Sequence, residues 1–160
     1  MMLYSDFENK YQVSTKAIKG IIPVSGVFEI APLIKTDIND NLGMDLNVAN
    51  KLSPLLMHSD SFPFNTQRIS VLLAYGEDES NAFKQQSTGY FNLLKKANFK
   101  NVNLIEVKNV DHFNVIENLS EDDFSLTKVK YSFYQTIYRK NSIFNFKHYI
   151  FKEIYKLMEI

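Results

Sequence analysis

The sequence predicts an α/β domain in which about three parallel strands are flanked by helices. Two short, nearly continuous apolar runs, residues 17–24 and 69–75, have the length and composition of strands that are buried on both faces. Residues 83–97 follow the second run with apolar side chains at helical spacing, and residues 102–107 form a third strand-like segment. Strand and helix in alternation favour a parallel sheet with right-handed crossovers.

The other segments follow from local signals. Residues 3–13 have the pattern of the end of a helix, and because no Ser, Thr, Asp or Asn cap precedes them we expect more of the fold upstream. Residues 37–44 and 58–66 are polar and indicate loops. Residues 48–52 predict a helical turn that Pro54 stops, and residues 122–138 predict a final helix.

The last segment, residues 140–160, is rich in Phe, Tyr, Ile and Lys. Phe146, Ile150, Ile154 and Leu157 can share one face of a helix, with lysines outside that face. We expect a helical tail that packs on the domain formed by residues 1–139. A helix that lies on a membrane surface or binds a partner is the alternative.

Composition limits the classes of function. The 18 Lys and Arg residues balance the 18 Asp and Glu residues, so no net charge attracts nucleic acid or an anionic membrane. The chain contains no cysteine, which excludes a disulfide framework, a thiolate nucleophile and a cysteine-based metal site. It has no signal-peptide pattern and no apolar run approaching the roughly 18 residues of a spanning helix. We expect a cytoplasmic protein.

Two loops hold ionisable side chains that could do chemistry together. Asp78 and Glu79 follow the second predicted strand, and His112 follows the third. Loops at the carboxyl ends of neighbouring parallel strands meet at one edge of a sheet. A carboxylate beside an imidazole can select the tautomer of a general base and stabilise its protonated form. The alternative is that these are ordinary surface residues, which is common for a lone histidine and an acidic cluster.

A serine nucleophile is missing from this pattern. No serine lies in a G-x-S-x-G elbow: Ser87 has a glycine on one side only, and Val24-Ser25-Gly26 does not fit either. No His-Gly-Gly segment is present to form an oxyanion hole, and no glycine-rich loop is present to hold a phosphate. The sequence therefore contains an acid and a histidine without their nucleophile.

Several segments together carry a family resemblance: Val24-Ser25-Gly26-Val27-Phe28-Glu29 with Pro32-Leu33, Asn50 with Ser53-Pro54, residues 76–83 with Gln86-Ser87, and residues 110–119 around His112. In these segments the chain resembles the kynurenine formamidases (arylformamidases), α/β-hydrolases of tryptophan catabolism. The resemblance covers residues 1–131. It implies the C-terminal part of an α/β-hydrolase fold, with the central strands missing.

The resemblance also implies an activity and its residues. The family hydrolyses N-formyl-kynurenine to kynurenine and formate in the cytosol, without a metal or cofactor. His112 falls on the family's catalytic histidine. The register of Phe83, Gln86 and Ser87 places the acid at Glu79, with Asp78 as the alternative. The family's serine and oxyanion hole would lie upstream of Met1, so we expect the isolated chain to be inactive.

Two other functions remain open: a carboxylesterase of the same fold with another acyl substrate, and a non-enzymatic interaction module. For the enzyme we expect a small-molecule substrate, with no nucleic-acid or membrane partner. The edge of the first strand, residues 17–24, would lack a neighbour and could pair with another chain, so a homodimer is possible.

Overall fold

The computed structural model of the chain describes residues 2–4, 6–57, 62 and 65–138. Three strands form one sheet: β1 (Gly20–Ile21), β2 (Ser70–Gly76) and β3 (Asn101–Val107), in the order β1-β2-β3 and all parallel. The predicted fold class is confirmed. The predicted tail of residues 140–160 lies outside the described residues.

The first strand is shorter than predicted. A 3-10 turn at Thr15–Ala17 occupies its expected start, and Pro23, which has no N–H to donate, interrupts it near its end. The chain nevertheless stays beside β2: the carbonyl of Pro23 accepts from the N–H of Ala74 at 3.0 Å, and the N–H of Ser25 donates to the carbonyl of Ala74 at 2.8 Å. Ser25 is thereby placed near the carboxyl end of β2.

Six α-helices lie in the described residues: α1 (Phe7–Tyr11), α2 (Ile38–Leu42), α3 (Leu46–Leu52), α4 (Asn81–Lys96), α5 (Asn114–Glu117) and α6 (Ser125–Tyr138). Four depart from the prediction, and one of these, α5, lies where no helix was predicted. The helix expected over residues 3–13 is a 3-10 turn followed by the short α1, and α6 begins three residues later than expected. The loop expected at residues 37–44 contains α2, which ends at Gly43 with φ of 57°.

Both faces of the sheet are covered, as a parallel sheet requires. One face packs Val71 and Leu73 of β2 against Tyr90 and Leu94 of α4. The other packs Ala74 and Val107 against α5 and the start of α6. Side chains of β2 alternate between these two cores, so the strand is buried on both sides and its carboxyl end is held firmly. Within the described residues, no helix is long and apolar enough to span a bilayer.

Candidate active site

The carboxyl ends of β2 and β3 bring two loops together. The loop after β2 carries Glu79 and leads into α4, and the loop after β3 carries His112 and leads into α5. Backbone hydrogen bonds join the loops: Glu77 N–H donates to the carbonyl of Val107 at 2.8 Å, and Asp78 N–H donates to the carbonyl of Val110 at 3.0 Å. The separation of the two loops is therefore set by main chain and not by flexible side chains.

Gly76 makes this close approach possible. A Cβ atom at position 76 would lie 2.4 Å from the carbonyl oxygen of Val110, a distance that no side chain could occupy without moving backbone. A glycine at the end of β2 is consequently needed for the two loops to meet.

Glu79 and His112 face each other across this junction. Oε1 of Glu79 lies 3.5 Å from Nδ1 of His112, which is an ion-pair distance but too long for a hydrogen bond. The Glu79 side chain is completely buried, whereas the His112 side chain is 40% exposed. Hydrogen bonds between catalytic groups are often long before the substrate binds. A hidden carboxylate behind an accessible imidazole is the arrangement of an acid that supports a general base.

The two oxygens of Glu79 have different surroundings. Oε1 accepts a short hydrogen bond from the hydroxyl of Ser25 and a second from the N–H of Gly76 at 3.3 Å. Oε2 is buried and has no hydrogen-bond partner among the described residues. The donors therefore converge on the oxygen that faces His112.

Asp78 occupies a different environment from its neighbour. Its side chain is exposed, and its backbone N–H is the group that bonds to Val110. Of the two carboxylates considered from the sequence, Glu79 is the one that contacts His112.

Aromatic side chains and a turn orient the imidazole. The ring of His112 lies 4.3 Å from that of Phe83 on α4, and the ring of Phe113 meets it edge-on at 5.5 Å. Asp111 forms the turn that carries the histidine, because its Oδ1 accepts from the N–H groups of Phe113 at 2.9 Å and Asn114 at 2.8 Å. The imidazole is thus fixed on one face and at its backbone.

A charged cluster of Lys108, Glu106 and Glu77, called the clamp below, lies on the outer side of the same two loops. Lys108 bonds to Glu106 at 2.5 Å and to Glu77 at 2.8 Å, and Oε2 of Glu77 accepts from the N–H of Asn109 at 3.1 Å. Hydrogen bonds from Lys108 and then from Asn109 lower the pKa of Glu77. The hydrogen bonds that Glu106 and Glu77 accept raise the pKa of Lys108.

Two clefts lie away from these loops. One of about 140 Å³ and one of about 650 Å³ share Lys19 and Arg68 in their walls, and neither is lined by Glu79 or His112.

In the part of the chain that the structure describes, no group of three or more His, Asp or Glu side chains is placed to hold a metal ion.

Two contacts of the site were not predicted from the sequence. Ser25 was considered only as a nucleophile, and Phe83 only as a marker of register, whereas Ser25 bonds to the acid and Phe83 packs on the histidine. The segment after Ser25 is held by Gln86, whose Oε1 accepts from the N–H groups of Phe28 at 2.7 Å and Glu29 at 2.8 Å. Ser25, Phe83 and Gln86 all lie in the segments that carry the family resemblance, and this shared location was the one signal in the sequence that pointed to these contacts.

The parallel sheet, with its acid and histidine loops at one edge, is part of an α/β-hydrolase fold. Solved structures agree: a Silicibacter protein described as a candidate thioesterase has a TM-score of 0.62 at 25% identity, covering 80% of this chain and 44% of its own. Pyrococcus horikoshii acylaminoacyl peptidase has a TM-score of 0.55 at 20% identity, covering 78% of this chain and 20% of its own.

Sequence comparison with curated proteins gives a more specific similarity, to one family of enzymes. The chain is 33% identical over 100 residues to kynurenine formamidase of Danio rerio, covering 62% of this chain and 33% of the relative. It is also 33% identical over 95 residues to kynurenine formamidase of Salmo salar, covering 59% and 31%. No family model matches. The resemblance to the kynurenine formamidases is confirmed, and the chain spans about a third of the length of these relatives.

Proposed function

We propose that Glu79 and His112 are the acid and the general base of a hydrolase of the kynurenine formamidase type. The observation that carries this proposal is the buried carboxylate of Glu79, 3.5 Å from Nδ1 of an accessible imidazole, at the carboxyl edge of a parallel sheet. Its support from relatives is the 33% identity to kynurenine formamidases. The proposed substrate is N-formyl-kynurenine, and the proposed location is the cytoplasm.

The proposed roles follow from the chemistry of the pair. When Glu79 accepts a hydrogen bond from Nδ1–H, the proton stays on Nδ1, and Nε2 is left unprotonated and able to take the proton of a nucleophile. The imidazolium that results is stabilised by the buried carboxylate, and it then returns the proton to the leaving group. No metal is needed for these steps.

We also propose that this chain alone does not turn over the substrate. No serine of the sequence lies in a G-x-S-x-G elbow, and Ser25, the buried serine nearest the pair, donates to Glu79 and is not bonded to the imidazole. The purified chain should therefore release no kynurenine from N-formyl-kynurenine. Turnover that disappears in His112→Ala would contradict this.

A chimera tests the proposed roles directly. The segment of the Danio rerio kynurenine formamidase that matches this chain is replaced by this chain, and release of kynurenine is measured. We expect activity that falls roughly a thousandfold or more in His112→Ala, as removal of a triad member does elsewhere. Glu79→Gln should also reduce kcat strongly, because an amide in its place favours the wrong imidazole tautomer.

Asp78→Asn is the matched control for Glu79→Gln, because it makes the same chemical change one residue away on an exposed side chain. It should leave kcat close to that of the chimera. A chimera that keeps its activity in His112→Ala, or that loses more activity in Asp78→Asn than in Glu79→Gln, would refute the assigned roles.

A second candidate activity is ester or thioester hydrolysis. The observation that favours it is the structural similarity to the candidate thioesterase, which covers more of this chain than the relatives do. The same chimera separates the two activities when kcat/KM for N-formyl-kynurenine is compared with that for simple acetyl esters and thioesters.

A further inference from the structure

Ser25 is a buried polar residue whose side chain has one well-defined contact. Its hydroxyl donates a short hydrogen bond to Oε1 of Glu79, across 54 positions of the sequence. The residue reaches that place because its N–H is bonded to the carbonyl of Ala74 in β2. Its main chain is thus tied to the strand that also leads to Glu79.

The backbone of Ser25 supports a specific role. Its φ is 50°, in the left-handed region that non-glycine residues rarely occupy and that costs free energy when they do. Glycine would satisfy this backbone without strain. A serine in its place adds only a hydroxyl group, and that hydroxyl group is used on Glu79.

The contact also determines which way the carboxylate points. Ser25 and Gly76 both donate to Oε1, the oxygen that lies 3.5 Å from Nδ1 of His112, while Oε2 has no hydrogen-bond partner among the described residues. Without the hydroxyl of Ser25, the 3.3 Å contact from Gly76 would be the one hydrogen bond that still holds the carboxylate among the described residues. A rotated carboxylate would no longer select the Nδ1–H tautomer.

We propose that Ser25 is a positioning residue that acts through Glu79 on His112. It holds Oε1 of the carboxylate toward Nδ1 and so keeps the imidazole in the tautomer that leaves Nε2 free. This inference rests on the pairing of Glu79 with His112 in the proposed function. Ser25 itself would touch neither the substrate nor the nucleophile.

The test measures the tautomer of His112 in the full 160-residue chain. Two-bond ¹H–¹⁵N spectra of the ¹⁵N-labelled chain, recorded where the imidazole is neutral, give the ratio of Nδ1–H to Nε2–H. The His112 signal is identified by its loss in His112→Gln. We expect Nδ1–H to dominate in the unmodified chain, and the ratio to fall about threefold or more in Ser25→Gly, as the loss of one orienting hydrogen bond predicts.

Three further variants make the result specific. Ser25→Gly removes the hydroxyl while relieving the positive φ, so its amide spectrum and thermal midpoint should show an intact fold. Ser87→Ala removes another buried hydroxyl, one that makes no hydrogen bond to any residue that the structure describes, and it should leave the ratio unchanged. Glu79→Gln should shift the ratio toward Nε2–H, which shows that the measurement responds to the acid.

An unchanged ratio in Ser25→Gly, with a changed ratio in Glu79→Gln, overturns the role of Ser25 alone. No preference for Nδ1–H in the unmodified chain overturns both this role and the proposed pair. A shifted ratio in Ser25→Gly with an inactive chimera leaves the positioning role standing and counts against the proposed activity.

Discussion

Two serines, Ser53 and Ser87, are equally buried but differ in their hydrogen bonds. Ser53 donates to the carbonyl of Ala49 at 2.7 Å and accepts from the N–H of Ile30 at 2.8 Å. Ser87, on α4, has a buried hydroxyl that finds no hydrogen-bond partner in the part of the chain that the structure describes. A buried hydroxyl stabilises a fold only when its hydrogen bonds are made, so these two serines should have opposite effects.

We expect Ser53→Ala to lower the free energy of unfolding by about 1–3 kcal/mol, because it leaves the N–H of Ile30 without its acceptor. Ser87→Ala should leave it unchanged or raise it by up to about 1 kcal/mol, since it removes an unpaired buried group and alanine favours a helix. Urea denaturation of both variants measures the difference. A larger loss in Ser87→Ala would mean that Ser87 has a partner in solution.

At the residue scale, the sequence singled out His112 as the candidate base, but the choice of a candidate acid depended on the register of the family resemblance. Asp78 and Glu79 are adjacent carboxylates, and composition cannot separate them. Their burial in the folded chain separates them. Glu79 is buried and Asp78 is exposed, because the turn after Gly76 directs alternate side chains to opposite sides. Ser25 could not be linked to Glu79 from sequence, since the contact spans 54 positions and leaves no local pattern.

At the scale of elements, periodicity predicted α4 and strand composition predicted β2 and β3 to within a few residues. These are the elements with the most buried side chains, so their apolar pattern is strong. The short α2 was missed because none of its residues is buried, and no apolar periodicity marks it. β1 was overestimated because its apolar run continues through Pro23, where pairing is interrupted.

The clamp around Glu77 links the loops that follow β2 and β3, and it gives a pH prediction. The pKa of Glu77 is lowered by its hydrogen bonds to Lys108 and Asn109. A carboxyl group whose pKa is lower in the folded state stabilises the fold above its unfolded pKa, about 4.3, and that stabilisation is lost as pH falls through the folded value. The effect is small, because the group is exposed to solvent.

We therefore expect Glu77→Gln to have a lower urea midpoint than the unmodified chain at pH 7. The difference should shrink as the pH falls below about 4.5, where Glu77 becomes protonated in the unmodified chain as well. Added salt should also reduce it. Glu117→Gln, an exposed glutamate outside the clamp, is the control. An equal difference at pH 3 and pH 7 would show that the clamp does not act through charge.

At the scale of the whole molecule, β1 forms one edge of the sheet in the part of the chain that the structure describes. On either side of β1, the carbonyls of Lys19 and Pro23 and the N–H of Ser25 bond to β2, so the backbone groups of the alternate residues, Ile22 among them, face the other way. Within the described residues no strand pairs on that side. Open edges of this kind can pair with another chain.

We expect the chain to self-associate through this edge, with an apparent mass that rises with concentration in sedimentation velocity. Ile22→Lys should reduce the association, because a charged side chain on an edge strand opposes pairing. Leu46→Lys is the control, since it places the same charge on an exposed leucine of α3. An equal reduction in both variants would mean that exposed apolar surface, and not the edge, causes the association.

Reading the sequence was enough to predict the α/β class, the three strands and the two loops that carry Glu79 and His112. Each of these follows from local patterns: apolar runs, helical periodicity and the residues at strand ends. Which side chains meet became clear from the packing of the folded chain. Gly76 lets the loops approach, Phe83 packs on His112, and Ser25 donates a hydrogen bond to Glu79. These contacts join residues far apart in the chain, and their geometry depends on how the strands and helices pack.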